Sequence, residues 1–143
     1  MNEAELEMGP VDYVVIEWAG DPTGEGAEEL VALADQGIVR VLDLAFLRKA
    51  DNGEVTNVDV SEVAKQVPAL AVFEGASSDL LSEADLAAAA DAIDAGKAAI
   101  VIVYENRWAA PFAGAIRRGG GELVASGRIT AQELMDAIEA SPA

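Results

Sequence analysis

Apolar positions follow two rhythms along the chain, and the changes between them mark its elements. Val11 to Trp18 reads VDYVVIEW, short and rich in β-branched and aromatic residues. It has too few polar positions for a half-exposed strand, which predicts a central one. Ala19 to Gly24 is a turn-rich loop. From Glu25 to Gln36 the spacing turns helical, with Leu30, Val31, Leu33 and Ala34 on one side. Glu25, Glu28 and Glu29 lie near its start, where acids complement exposed N–H groups, and Gly37 supplies the stop. Ile38 to Lys49 (IVRVLDLAFLRK) reads as a second strand. Asn52-Gly53 favours a tight hairpin, and Glu54 to Val60 alternates as its half-exposed return.

Residues 61–96 read as helical. Ser61 to Gln66 opens a helix that Pro68 bends or restarts. Residues 68–74 are ambiguous between helix and strand, and their alanines favour helix. Residues 75–78 interrupt it. Ser82 and Asp85 have capping-box spacing ahead of a helix running to Asp94, with a stop near Gly96. Ala98 to Glu105 is a buried strand and residues 108–118 a helix. Gly119, Gly120 and Gly121 end that helix, and Glu122 to Ser126 reads as another strand. Thr130 and Glu133 repeat the capping-box spacing and open a last helix ending near Glu139 or Ala140.

Residues 13–42 and 100–128 therefore echo each other as strand–helix–strand units. Packed together they predict an α+β, ferredoxin-like two-layer sandwich with a helical insertion and an extra C-terminal helix. The first strand of each unit would be central. A doubly wound three-layer fold is the alternative, and needs helices on both faces. The expected organisation is a flexible acidic N-terminus over 1–9, a single domain over 10–140 and a tail over 141–143.

Composition narrows the function. The 143 residues are 52% apolar, enough for a core, although alanine supplies much of that fraction. Acids outnumber bases 26 to 9, a formal charge of −17. Such a surface argues against nucleic acid and anionic membranes, and suits a basic protein partner or a small cationic ligand. With no cysteine, disulfides and thiol chemistry are excluded; with no histidine, so are a Ser-His-Asp triad and the commonest metal ligand. The acidic start carries no apolar leader and no stretch reaches eighteen apolar residues, so the expectation is a cytoplasmic chain without a membrane span.

One constellation suggests a site. Glu17 and Trp18 end one predicted central strand, and Tyr104, Glu105, Asn106, Arg107 and Trp108 end the other. They form a candidate ligand or partner surface. If the two strands run antiparallel, Glu17 and Glu105 lie at opposite ends and cannot act as an acid–base pair within one subunit. Structure also accounts for the cluster: Asn106 as a helix cap, Arg107 paired with an acid, Trp108 packed on the sheet. The loop Gly20 to Gly26 lacks the spacing and the lysine of a phosphate loop. Asp79, Glu83, Asp85, Asp91 and Asp94 match no calcium loop. No cofactor, metal or catalytic residue is assigned. Arg40, Arg48, Arg117, Arg118 and Arg128 are scattered, as salt-bridge partners would be.

The segments MGPVDYVVIEW, GIVRVLDLAFLRK, LAVFEGASS, VYENRWAAPF and GGELVASGRI resemble a family of small acidic actinobacterial proteins, domain-of-unknown-function family 6325. The resemblance covers nearly all of residues 8–138. A more distant likeness is to family 1269, sometimes described as membrane or stress proteins; the corresponding stretch here, around Ala69 to Leu81, is too short and too charged to span a bilayer. Neither likeness brings catalytic residues to this chain. The expected function is a non-enzymatic, self-associating domain, a homo-oligomer of scaffold or stress-associated type. A binding module for a cationic or aromatic small molecule and a carboxylate-based enzyme are the alternatives.

Overall fold

The most apolar run in the chain, AAIVIVYEN, becomes the strand on which the sheet is built. In a computed structural model describing residues 7–19, 24–75 and 80–141, the strands are β1 (Val11–Trp18), β2 (Val39–Lys49), β3 (Val55–Val58) and β4 (Ala98–Asn106). The helices are α1 (Glu25–Asp35), α2 (Val60–Gln66), α3 (Glu83–Ala92), α4 (Ala110–Arg118) and α5 (Ala131–Ala140), with 3₁₀ turns at Pro68–Phe73 and Arg107–Ala109. The strands pair antiparallel in the order β1-β4-β2-β3. This is an α+β fold, a four-stranded antiparallel sheet flanked by helices, consistent with a ferredoxin-like sandwich carrying insertions.

Strand alternation sends the side chains of β4 to two faces. Ile100, Ile102 and Tyr104 join Leu44 and Phe46 of β2 on one face, under α1, α2 and the turn bearing Leu70 and Phe73. Ala99 and Val101 join Ala45 and Leu47 on the other, under Ala89, Ala90 and Ile93 at α3. The insertion between β3 and β4 thus supplies the cover for the second face. The antiparallel pairing separates this arrangement from a doubly wound sheet.

The hairpin forms as expected, with Arg48 opposite Thr56. Ala50 N–H donates to Glu54 C=O and Asn52 Oδ1 accepts from Glu54 N–H, closing the turn. The return strand is shorter than its alternation suggested, because Asp59 Oδ1 accepts from Ser61 N–H and starts α2 at Val60. Residues 68–73 are helical, as a 3₁₀ turn. Both predicted helix starts carry their caps. Ser82 Oγ accepts from Asp85 N–H while Asp85 Oδ2 accepts from Ser82 N–H, and Thr130 Oγ1 accepts from Glu133 N–H. The Ser82 backbone bond, then its hydroxyl, holds the Asp85 carboxyl below its ordinary range.

Two placements correct the sequence reading. β1 is an edge strand, not a central one, since among the described residues β4 is its sole sheet neighbour. Its high apolar content reflects side chains left partly in water, with Val11, Tyr13 and Ile16 exposed. Residues 122–126 are not a strand either. Gly120 N–H and Gly121 N–H close α4 onto Arg117 and Ile116 carbonyls, with Gly120 at φ 86°. The chain then leaves the body with Leu123 and Val124 in solvent. Without a partner edge, their β propensity has nothing to pair with. The sheet takes its fourth strand from β3 instead. The expected turn signals at 20–23 and 76–79, and most of the acidic lead, lie outside the described residues.

Candidate functional site

At the end of β4 the cluster marked by the sequence separates into three groups. The first centres on Glu105, which is 0% exposed. Its cross-strand partner on β2 is Arg40, and Arg40 Nε lies 3.2 Å from Oε1. Arg107 Nη1 lies 3.3 Å from Oε2, which also accepts from Gly9 N–H at 2.8 Å. Oε1 has no hydrogen bond, so Arg40 meets it as an ion pair only. The carboxylate pins the chain ahead of β1 to the end of β4. Gly9 permits the close passage, since a Cβ there would meet Asn106 C=O at 2.2 Å. These contacts hold backbone in place, and two guanidinium groups already occupy the acid.

The second group surrounds Asn106. It does not cap the following helix, which was the expectation. Its Nδ2 instead donates to Pro10 C=O and to Asp12 Oδ2, and its Oδ1 accepts from Trp108 Nε1 at 3.3 Å. Trp108 does not pack on the sheet; it stands 68% exposed. The Arg107–Ala109 turn tilts it outward before Pro111 opens α4.

Glu17 belongs to a third group at the opposite end of the sheet, opposite Ala99, as antiparallel pairing requires. It lies 3.5 Å from Lys97 Nζ and accepts from Asp94 N–H. The hydrogen bond to Asp94, reinforced by the charge of Glu17, raises the Lys97 pKa above its ordinary value. Glu17 and Glu105 therefore form no acid pair.

Two of the marked residues do meet in one feature. Trp18 and Tyr104 both line a groove of about 480 Å³ between β1 and α1. Their register places them near its opposite ends, since Trp18 pairs with Ala98 and Asp12 with Tyr104. Val14, Ile16, Leu30 and Leu33 form the walls, and Glu29 is the one acid among the lining residues. A second groove, of about 420 Å³, lies on the other face between β1 and α3. Tyr13, Val15, Leu81, Ala88 and Ala92 line it, with Tyr13 71% exposed.

Both grooves exist because β1 is an edge strand with apolar side chains on both faces and incomplete helical cover. The sequence carried that signal in VDYVVIEW, but the same run is equally apolar in a buried central strand. Two further anchors, buried Asp43 and half-buried Lys49, were unmarked. Asp43 sits beside a register shift in β2, where Oδ1 accepts from Leu44 N–H and Oδ2 from Leu81 N–H. Its signal was an acid inside the apolar run VLDLAF. Lys49 Nζ donates to Ala90 and Ile93 C=O and closes the end of α3.

Among the described residues no three acidic side chains gather closely enough to hold a metal ion. No helix among them is long and apolar enough to cross a membrane. No curated protein and no solved structure matches the chain. A family of unknown function, DUF6325, matches residues 7–141, and the chain belongs to that family.

Proposed function

We propose that this chain is a non-enzymatic, self-associating domain whose contact surface is built on β1. The observation that carries this reading is the edge itself: among the described residues its eight residues pair on one side only, with Val11, Tyr13 and Ile16 exposed. An apolar edge strand of this length is a template for association unless it is covered. Sedimentation equilibrium at micromolar concentration is expected to give a mass of two subunits or more. A single-subunit mass across that range overturns the reading. A net charge of −17 on each copy opposes contact, so association is expected to tighten as salt rises.

The groove holding Trp18 and Tyr104 favours a second reading, a binding module for a small aromatic or apolar molecule. Its largely apolar lining supports such a ligand over a cationic one. Titrating an aromatic probe into a Trp108→Phe variant, which leaves Trp18 as the sole indole, is expected to change its emission saturably. An unchanged spectrum removes this reading. The carboxylate-enzyme alternative gains least, since Glu105 and Asp43 are already engaged in holding backbone.

A further inference from the structure

The segment after α4 buries none of its side chains among the described residues. Residues 122–141 are all exposed, Leu134, Met135 and Ile138 by about half, and α5 has no buried residue. Yet α5 carries Ala131, Leu134, Met135 and Ile138 at positions i, i+3, i+4 and i+7, the stripe of a helix with one packed face. The connector ahead of it adds Leu123, Val124 and Ile129, each at least three-quarters exposed. On the body, the groove between β1 and α3 lacks the cover that three helical segments give the other face. Its α3 wall is made of Asp85 near the helix start and then Ala88, Ala89 and Ala92, small side chains that let bulky ones on a facing helix interdigitate.

We propose that α5 of one copy seats in the groove between β1 and α3 of a second copy, which returns its own α5 in the same way. This rests on the self-association reading and names its interface: a reciprocal exchange of C-terminal arms. The arm starts from a fixed point, because Arg117 donates to Met8 C=O just ahead of β1. From there the ten residues 121–130 reach roughly 33 Å when extended, enough to cross to a neighbouring copy. The three large apolar side chains of α5, Leu134, Met135 and Ile138, are each about half exposed and carry on the order of 300 Å² of surface. Two such helices with their groove walls then cover on the order of 1,200 Å², the lower end of a standard interface. Reciprocity closes the assembly at two copies, because each arm fills the groove its partner offers.

The test uses the full chain. Leu134→Glu combined with Ile138→Glu places charge on exposed positions, so the circular dichroism spectrum and urea midpoint of the dilute monomer are expected to stay unchanged. The dimer dissociation constant is expected to weaken by about 100-fold or more, since central apolar anchors carry most of an interface. The chain has no cysteine, so Ile138→Cys and Ala88→Cys each introduce a single thiol. Mixing those two variants with a short bismaleimide is expected to give a covalent heterodimer. If the charged variant stays dimeric, the copies associate elsewhere: the arm exchange is overturned and self-association stands. If a chain carrying both Ile138→Cys and Ala88→Cys instead cross-links within itself as a monomer, the arm docks on its own body. That result also overturns the exchange. A wild-type chain that is monomeric throughout overturns both readings.

Discussion

Replacing Arg40 with methionine keeps the apolar stem and removes the charge facing Glu105. The Glu105 carboxylate is fully buried, and Oε1 meets Arg40 alone, whereas Oε2 keeps Arg107 at 3.3 Å and Gly9 N–H at 2.8 Å. Breaking a buried ion pair by removing one partner costs about 3–5 kcal/mol. The arginine side chain here is 55% exposed, so part of the pair is already hydrated. Oε2 also retains both of its partners. These two facts lower the expectation to about 2–3 kcal/mol. At roughly 2–4 °C per kcal/mol for a chain near this size, the melting temperature should fall by roughly 5–10 °C. Urea unfolding followed by circular dichroism, at one fixed protein concentration, measures the change. Arg107→Met should cost less, about 1 kcal/mol, because its oxygen keeps the Gly9 bond. In a Glu105→Gln background the Arg40 substitution should lose most of its effect, since the buried charge has gone. An Arg40→Met chain within about 0.5 kcal/mol of wild type, the scatter of ordinary surface changes, would refute the reasoning. So would an equal cost in both backgrounds.

Three further outcomes follow from local geometry. Asp85 has a depressed pKa in the folded chain, so its contribution is present above the unfolded value and lost as pH falls through the folded one. The stability gap between wild type and Asp85→Asn should therefore close in acid, and a gap unchanged from pH ~7 to ~2.5 would contradict the capping box. Lys97 has a raised pKa, so its contribution is fully present below the ordinary lysine value and lost as pH rises through the folded one. Lys97→Met should differ from wild type at neutral pH and converge with it above pH ~10.5, read by the same urea titration. Gly9→Ala drives a Cβ to 2.2 Å from Asn106 C=O, which forces β1 and β4 apart at Glu105. It should cost about 2 kcal/mol or more, and a neutral result would mean that Gly9 does not cross there.

Much of the fold was legible along the chain because it depends on short-range chemistry. Ser82 with Asp85 and Thr130 with Glu133 cap helices through neighbours three residues away. The hairpin turn after Lys49 closes through its own backbone and Asn52. The candidate site was legible only in part. Trp18 and Tyr104 do share a groove. Glu17, however, lies at the other end of the sheet from Glu105, and Trp108 stands in solvent. Composition marks residues able to do chemistry; pairing decides which of them meet.

The sequence by itself determined that β4 would be buried, because AAIVIVYEN offers water almost nothing to bond on either face. It determined where helices begin, and that neither thiol nor imidazole chemistry belongs to this chain. Only the tertiary structure decided that β1 lies at the edge, since an apolar strand reads alike in a centre or beside an uncovered groove. It also decided the fate of Glu122 to Ser126. The β propensity there is genuine, but a strand exists only where another strand offers its N–H and C=O groups. Among the described residues no edge is brought to that segment, and Leu123 and Val124 stand in solvent.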